Sequence, residues 1–388
     1  MDFAFTPEQE ELRSSLRRFF AGKSPTSEVR RVSETADGYD PLLWKQMAEQ
    51  LELQGLVIPE EYGGSGFTAV ELSVVFEEMG RALVCAPYFS SVALAAQVLL
   101  AVGDDEAKAR WLPGIADGSL IATVAVTEDD GAWGLEHVLA SAVPAGDSWT
   151  LDGVKTFVVD GHLAGLLLVV ARTDQGLGVF AVEGDQPGLT RTPLSVLDFT
   201  RKLARVELDA VPALRISPDG DATAALSRGL DAALTALAAE QAGGAARCLE
   251  MAVDYAKTRV QFGRPIGSFQ AIKHKCADML VAVESAKSAA YYAAWSAADA
   301  AAAADAAADA AAGGAADGGE LAVAAALAKA YCSNAYFQVA AENIQIHGGI
   351  GYTWEHDAHL YFRRAKSSQL LFGGPQQHRS RFAELVGI

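Results

Sequence analysis

The sequence has few of the features that mark secreted, membrane or metal-binding proteins. The four cysteines in its 388 residues are scattered, without the spacing of a metal site or a disulfide framework, at Cys85, Cys248, Cys276 and Cys332. No charge-free run of about 18 apolar residues predicts a membrane span. No basic segment followed by an apolar run predicts a secretory signal. From these absences we expect a cytoplasmic protein that neither binds a metal nor enters a membrane.

Positive charge is also scarce. Lysine and arginine total 31 against 49 aspartate and glutamate, which gives a formal net charge of −18. Such a balance argues against nucleic acid or an anionic membrane as partner. Any anionic ligand therefore needs local cations, and the candidates in the C-terminal part are Arg259, Arg264, Lys273, Arg363, Arg364 and Lys366.

The order of helical and β-rich residue patterns along the chain predicts an α+β multidomain protein. Residues 1–120 carry helical periodicity and form an N-terminal all-α domain, beginning with Thr6 as a helix cap, Pro7 and Gln9. Residues 121–221 contain short β-rich runs separated by Gly, Pro and Asp, and form a middle β-domain. Residues 222–388 are helical again and form a C-terminal helical bundle. Two or three packed units suit a chain of this length.

Two stretches that contain clustered glycines invite functional readings that their context does not support. IPEEYGGSG at 58–66 lacks the Lys-Ser/Thr and the strand-to-helix setting of a nucleotide loop, so we interpret it as a structural turn. An alanine-rich insertion around 297–320 contains a predicted break at four glycines. Alanine favours helix but buries little surface. We interpret this insertion as a mobile connection between two helices, predicted to span Ser268–Ala298 and Leu321–Gln345, and not as a site.

The stretch Asp254–Met279 is the most informative part of the chain. A long helix ends where Gly263, Pro265 and Gly267 interrupt the periodicity, and a second helix restarts near Gln270. The corner between them presents a cation, an aromatic ring and amides from Arg259, Phe262, Gln261 and Gln270. A guanidinium binds phosphate oxygens in a bidentate manner. Spacing alone equally allows a helix–loop–helix with a solvated arginine.

Two motifs resemble those of the acyl-CoA dehydrogenase family, flavoproteins that oxidise acyl-CoA thioesters. They are TRxxFGxxIxxFQ at 258–270 and QxxGGxGYT at 345–353, and the domain order agrees along nearly the whole chain. The resemblance implies FAD as cofactor, reached across a subunit interface. It implies that Arg259 and Phe262 contact the pyrophosphate and adenine of a neighbour's FAD. The resemblance also implies contacts to the adenine half from Gln345, Gly348 and Gly349, and it adds Gln261, Gln270 and Gln376 to the predicted cofactor-binding residues. His347, inside the second motif, is interpreted as a packing residue.

The residues that would cradle the chain's own flavin depart from the family pattern. The string T-E-P-x-A-G-S-D reads TEDDGAWG at Thr127–Gly134, and W-I-T-N-G reads FVVDG at Phe157–Gly161. Thr127 and Phe157 keep a flavin hydrogen bond and an aromatic wall, whereas Val159 replaces a threonine that faces the flavin ring. Asp129 and Trp133 replace the proline and the serine, and Asp130 adds a second carboxylate beside Asp129. Carboxylates near a diphosphate are repulsive, and the indole occupies space.

The family's catalytic glutamate is also missing. Phe372 occupies its usual position after the R-x-A-K segment, and Ala233 occupies the alternative position on the long helix. Residues that would serve a neighbour's FAD are thus kept, while residues for the chain's own flavin and substrate are lost. This asymmetry is similar to the actinobacterial hetero-oligomeric α2β2 members known from steroid side-chain degradation. It implies a subunit that lacks the base, a second subunit that carries it, an acyl-CoA substrate and electron-transfer flavoprotein as acceptor.

Two alternatives stay open. Glu240 lies seven residues after Ala233, on the same helix face, and would be the base of a self-sufficient homo-oligomeric enzyme. Its simpler interpretation is a buried partner for an arginine. The other alternative is a flavin-free binding or scaffold protein on this fold. The retained Arg259, Phe262 and Gln345 argue against it.

Overall fold

The computed structural model describes residues 5–102, 105–309 and 319–388. By its internal contacts the chain divides into two compact units. Unit 1 comprises the described residues within Met1–Arg31, Ala69–Val84 and Leu234–Ile388, and unit 2 comprises those within Val32–Thr68 and Cys85–Ala233. No helix among the described residues combines the length and the apolar composition needed to cross a membrane.

The first part of the chain is helical, as predicted. The helices are α1 (Pro7–Lys23), α2 (Thr26–Ser33), α3 (Pro41–Glu49), α4 (Ala69–Ala82), α5 (Gln97–Val102) and α6 (Asp105–Ala116). The capping box predicted for α1 is confirmed, since the Gln9 amide donates to Thr6 Oγ1 at 3.3 Å and the Thr6 amide to Gln9 Oε1 at 2.9 Å. Two features were not predicted: helix α2, and a π-helical segment at Phe89–Ala96. An eight-residue helix and a change of helical pitch leave little periodic signal.

The turn at 58–66 is structural. Glu60–Tyr62 form a single 3₁₀ turn, followed by Gly63 with φ of 82°. A Cβ on Gly64 would lie 2.0 Å from the carbonyl oxygen of Ile58, so only glycine fits where the chain folds back on itself.

The middle part of the chain forms one sheet that closes on itself. Its strands are β1 (Ala122–Ala125), β2 (Ser141–Ala145), β3 (Ser148–Val159), β4 (Leu166–Thr173), β5 (Gly176–Glu183), β6 (Leu189–Pro193) and β7 (Leu203–Arg215). The order is β1-β4-β2-β3-β7-β5, with β4 also paired to β5 and β6 added to β7. The short strands β2 and β6 were not predicted, because their side chains are largely exposed and carry no alternating apolar pattern. Leu151, Val169 and Val206 lie in the core that the sheet encloses.

The C-terminal part contains α7 (Thr223–Thr258), α8 (Gln270–Asp309), α9 (Gly319–His347), α10 (Ala358–Leu370) and α11 (Pro375–Leu385). Within unit 1, α4 crosses α7 at two glycines. A Cβ on Gly80 would lie 2.0 Å from the Glu240 carbonyl oxygen, and a Cβ on Gly243 would lie 1.9 Å from that of Glu77. Backbone contact at this crossing explains why a long helix tolerates glycine in its interior.

The alanine-rich insertion is partly a correction. We predicted that the helix would end at Ala298, but α8 continues to Asp309. Alanine has the highest helix propensity, so a run of alanines extends a helix without needing to be packed. Of the predicted break, Gly313, Gly314 and Gly318 lie outside the described residues, whereas Gly319 is the first residue of α9.

Candidate functional site

A tight hairpin connects α7 to α8. The strands β8 (Val260–Gln261) and β9 (Arg264–Pro265) pair in antiparallel fashion. The two turn residues, Phe262 and Gly263, have φ of 53° and 76°. Two successive residues with positive φ are typical of a type I′ turn, which favours Asn-Gly over a bulky residue at the first position. The turn therefore carries some backbone strain at Phe262, whose side chain is 90% exposed.

The hairpin presents the predicted cofactor residues to solvent. Arg259, Gln261 and Phe262 are exposed, and within the described part of the chain no carboxylate pairs with the Arg259 guanidinium. Gln270 begins α8, also exposed, with its Nε2 at 3.1 Å from His274 Nε2. The structure therefore brings the arginine, ring and amides of the first motif together at one corner.

The second motif forms the turn after α9. Gly348 has φ of 63°, and a 3₁₀ turn follows over Gly348–Tyr352. A Cβ placed on Gly348 or Gly349 would meet no atom within 4 Å, so both glycines border open space. Gln345 is exposed on the last turn of α9.

His347 packs behind this turn, as predicted. It is buried, and its Nδ1 lies 2.8 Å from the carbonyl oxygen of Asn343. Because a carbonyl only accepts, Nδ1 is the donor. The ring stacks on Tyr255 with centroids 4.3 Å apart, and burial lowers the pKa of His347. Both side-chain amide atoms of buried Asn343 lack a hydrogen-bond partner among the described residues, a feature that the sequence did not indicate.

In the β-domain, the two predicted flavin-cradle segments lie side by side. The Thr156 amide donates to the Thr127 carbonyl oxygen at 2.8 Å. Phe157 sits at an irregularity in the pairing of β3 with β7, with φ of 53°, and its ring is 45% exposed. Val159 is only 1% exposed, so its side chain is buried and not available at the surface.

A buried ion pair that we did not predict fixes the loop after β1. Lys155 is fully buried, and its Nζ donates to Glu128 Oε1 at 2.8 Å and to the Val126 carbonyl at 3.1 Å. The same oxygen of Glu128 accepts from the amides of Leu139 and Ala140, so it holds both ends of the loop. Burial lowers the pKa of Lys155 to about 8, against the raising effect of Glu128. A lysine at an inward position of an alternating strand is the sequence signal that would have revealed it.

The acidic residues of this loop are less repulsive than the sequence suggested. Asp129 forms a two-point pair with Arg205, at 3.1 Å from Nε and 2.9 Å from Nη2. The hydrogen bond from Arg205 lowers the pKa of Asp129. Asp130 accepts from the Ala132 amide at 3.0 Å, within its own turn. One of the two carboxylates therefore has a cationic partner, Arg205, which also pairs with Glu207.

The two family positions for the base hold apolar, buried side chains. Phe372, with φ of 56°, follows α10, and His378 Nε2 donates to its carbonyl oxygen at 2.8 Å. Ala233 lies in the interior of α7. Gln376 is exposed in the first turn of α11, and its Oε1 accepts from Arg379.

Glu240 is engaged in a buried salt bridge. Its Oε1 lies 3.2 Å from Arg364 Nη1, and the two side chains are 5% and 3% exposed. This geometry agrees with a buried structural partner for an arginine. It also removes Arg364 from the set of cations available to an anionic ligand. Of the others, Arg264 lies over the Phe269 ring at 4.2 Å and Arg363 over the Trp354 ring at 4.2 Å.

The comparisons with known proteins establish the class. Family models of acyl-CoA dehydrogenase match the chain as N-terminal domain over residues 6–119, middle domain over 123–210 and C-terminal domain over 223–386. The chain belongs to the acyl-CoA dehydrogenase family. It is therefore an FAD-dependent oxidoreductase of the three-part α+β fold expected above.

Individual relatives and solved structures show which members of the family this chain is similar to. The chain is 35% identical over 375 residues to acyl-CoA dehydrogenase IpdE2 of Mycolicibacterium smegmatis, covering 96% of this chain and 97% of the relative. Among solved structures it is similar to a variant of the Tcur3481–Tcur3483 steroid ACAD, with a TM-score of 0.84, 33% identity and 98% of each chain covered. It is also similar to the ChsE4–ChsE5 complex of Mycobacterium tuberculosis, with a TM-score of 0.86, 28% identity and coverage of 100% and 99%.

The residues of the C-terminal corner fit the adenosine diphosphate half of FAD. A diphosphate can bind a guanidinium that has no carboxylate partner in the described chain. A purine can stack on an exposed phenyl ring, and the two glycines leave open space beside it. The β-domain fits the flavin ring only in part. Thr127 and Phe157 line its surface, but the buried Val159 offers no polar atom there.

Proposed function

We propose that this chain is the subunit lacking the base in a hetero-oligomeric acyl-CoA dehydrogenase, and that its C-terminal corner completes the FAD site of a partner subunit. The reaction would be α,β-desaturation of an acyl-CoA thioester. When bound, FAD accepts the hydride from Cβ, while a carboxylate takes the proton from Cα. In this proposal the partner supplies the carboxylate.

The observation that carries the proposal is the engagement of Glu240. Phe372 and Ala233 have no carboxylate to offer, so Glu240 was the candidate base left on this chain. A glutamate held at 3.2 Å by an arginine in the bundle interior is paired and inaccessible, which suits a structural role better than proton transfer. A self-sufficient enzyme that uses Glu240 is therefore disfavoured.

Exposure at the corner supports the second half of the proposal. Arg259 and Phe262 are exposed on a strained hairpin, and the Phe262 ring meets Phe269 edge-on, at 6.1 Å between centroids. Exposed, unpaired groups on a rigid base are suited to a ligand that another subunit holds. The complexes of two differently named proteins among the structural relatives, Tcur3481–Tcur3483 and ChsE4–ChsE5, make such an assembly a natural arrangement for this chain. Electron-transfer flavoprotein as acceptor and the cytoplasm as location belong to the same proposal.

The test is to purify the chain alone and together with a co-expressed family member that carries the glutamate. We expect the lone chain to be colourless or to hold FAD well below one per chain, and to be inactive with acyl-CoA. We expect the joint complex to be yellow and active. FAD bound one to one by the lone chain, together with dehydrogenase activity, would overturn the proposal. A complex that stays colourless with every partner would favour a flavin-free binding role.

A further inference from the structure

The two segments that carry the predicted cofactor residues meet at one stack of rings within unit 1. His347 lies between Tyr255, at 4.3 Å and 28° between planes, and His356, at 4.3 Å and 53°. Tyr255 belongs to the last turn of α7, His347 ends α9, and His356 lies in the loop before α10. Segments about ninety residues apart in sequence are thus joined by a single imidazole.

We propose that His347 is a positioning residue that couples the Arg259–Phe262 hairpin to the Gly348–Gly349 turn. This inference rests on the proposed function for its consequence, but not for its geometry.

Each side of the stack is tied to its functional segment by hydrogen bonds. The Arg259 amide donates to the Tyr255 carbonyl at 2.8 Å, and the Ile266 amide donates to the Arg259 carbonyl at 2.8 Å, so the base of the hairpin follows Tyr255. His347 directly precedes Gly348, and its Nδ1 holds the carbonyl of Asn343 in the last turn of α9. A shift of the imidazole would therefore move both segments.

The far side of the stack is braced by α2. Arg30 donates to the carbonyls of Trp354 at 2.8 Å and His356 at 3.1 Å, and pairs with Asp357 at 2.9 Å. His359 completes the charged surroundings, with its Nε2 at 3.4 Å from Arg30 Nη2. The imidazole of His347 is consequently clamped between the α7 ring and a loop that is itself fixed.

The stack favours a neutral His347. Burial lowers its pKa and that of His356, and Arg30 and His359 add positive charge near His356, offset by Asp357. A group whose pKa is lowered by folding contributes its full stabilisation above its unfolded pKa of about 6.5, and loses it as the pH falls towards the folded value. The coupling should therefore weaken below about pH 6.5.

Hydrogen–deuterium exchange on the full chain tests the coupling without any cofactor. We expect His347→Gln, which removes the ring, to speed exchange of the amides in Arg259–Ile266 roughly three- to tenfold, the range for loss of one aromatic pair. His359→Gln is the matched control, since the His359 ring contacts Trp354 and Arg30 and does not join the stack on Tyr255. It should speed exchange in the loop around 354–359 and raise hairpin exchange much less than His347→Gln does.

His347→Phe separates positioning from simple packing. It keeps a ring but cannot titrate, so slow hairpin exchange should persist while its rise below about pH 6.5, after correction for intrinsic exchange, becomes smaller, since only His356 is left to titrate beside that ring. In the assembled complex, His347→Gln should also weaken FAD binding roughly three- to tenfold. Hairpin exchange that is unchanged in His347→Gln, or equally raised in His359→Gln, would overturn the inference. Altered exchange with unaltered FAD binding would keep the coupling and count against the proposed function instead.

Discussion

The loop after β1 and the hairpin after α7 both carry charged side chains at the surface of their units, but they satisfy them differently. Glu128 is held by Lys155 and two amides, and Asp129 by Arg205. At the hairpin, Arg259 has no carboxylate partner in the described chain and Phe262 has almost no cover. Charged groups that have partners within the fold stabilise it, whereas groups without such partners are available to a ligand. The difference supports the proposal that the hairpin, more than the loop, contacts a ligand.

The largest effect on stability should come from a substitution of Glu240 in the bundle interior. Glu240→Gln removes the negative charge that faces the buried Arg364 guanidinium, and breaking a buried pair typically costs about 3–5 kcal/mol in the free energy of unfolding. Glu342→Gln, which breaks the more exposed pair with Lys275, is the control and should cost less than about 1 kcal/mol. Urea unfolding measures both. If Glu240→Gln abolishes turnover of the joint complex at unchanged stability, Glu240 is catalytic after all.

The second effect concerns Lys155 and pH. Its pKa of about 8 lies below the unfolded value near 10.5, so the folded chain binds fewer protons between these values. Stability relative to Lys155→Met should therefore rise between these two pKa values, by up to about 1.4 kcal/mol per pH unit. The surface variant Lys45→Met serves as the reference. A stability difference that stays flat over this range would mean that the loop after β1 is not held by a desolvated lysine.

Arg259→Gln tests the hairpin, which is the part of the comparison where the charged side chain has no carboxylate partner in the described chain. Because the guanidinium makes no ion pair within the described chain, the melting temperature should not change measurably. Loss of charge-assisted hydrogen bonds to a diphosphate should weaken FAD binding by the joint complex about 10- to 100-fold. Arg264→Gln removes the same charge from the same hairpin, where Arg264 lies over Phe269, and should have a smaller effect. Equal effects of the two variants would indicate general electrostatics instead of a specific contact.

Asp129→Asn should have the smallest effect. Arg205 keeps a second partner in Glu207, so the pair at Asp129 is replaceable and the melting temperature should stay within about one degree. The lone chain should remain without bound FAD, because removing this charge does not restore the polar atom that is missing at Val159. A lone Asp129→Asn chain that binds FAD would show that this carboxylate, and not the missing polar atom at Val159, keeps the flavin away.

Much of the fold could be predicted from sequence because its long elements are strongly periodic. The helix α9, for example, was predicted over Leu321–Gln345 and spans Gly319–His347. The short α2, β2 and β6 were missed, since a short element with an exposed surface has too little pattern. The corner residues were found because Gly263 and Pro265 punctuate the helix around them. Arg205 and Lys155 were missed because their partners lie on other segments of the β-domain, and strand pairing is a long-range choice.

The sequence by itself determined the residue types of the site: an arginine and a phenylalanine beside a glycine, two further glycines after a glutamine, and no glutamate at positions 233 and 372. It also determined the order of helices, strands and helices, because periodicity is a local property. Only the tertiary structure decided which charged side chains have a partner within the fold. Whether Glu240, Asp129 or Arg364 forms an ion pair depends on partners that folding brings close. The residues next to each of them in sequence do not indicate such a distant partner. The same holds for His347, whose neighbours Tyr255 and His356 meet only when α7 and α9 pack in one unit.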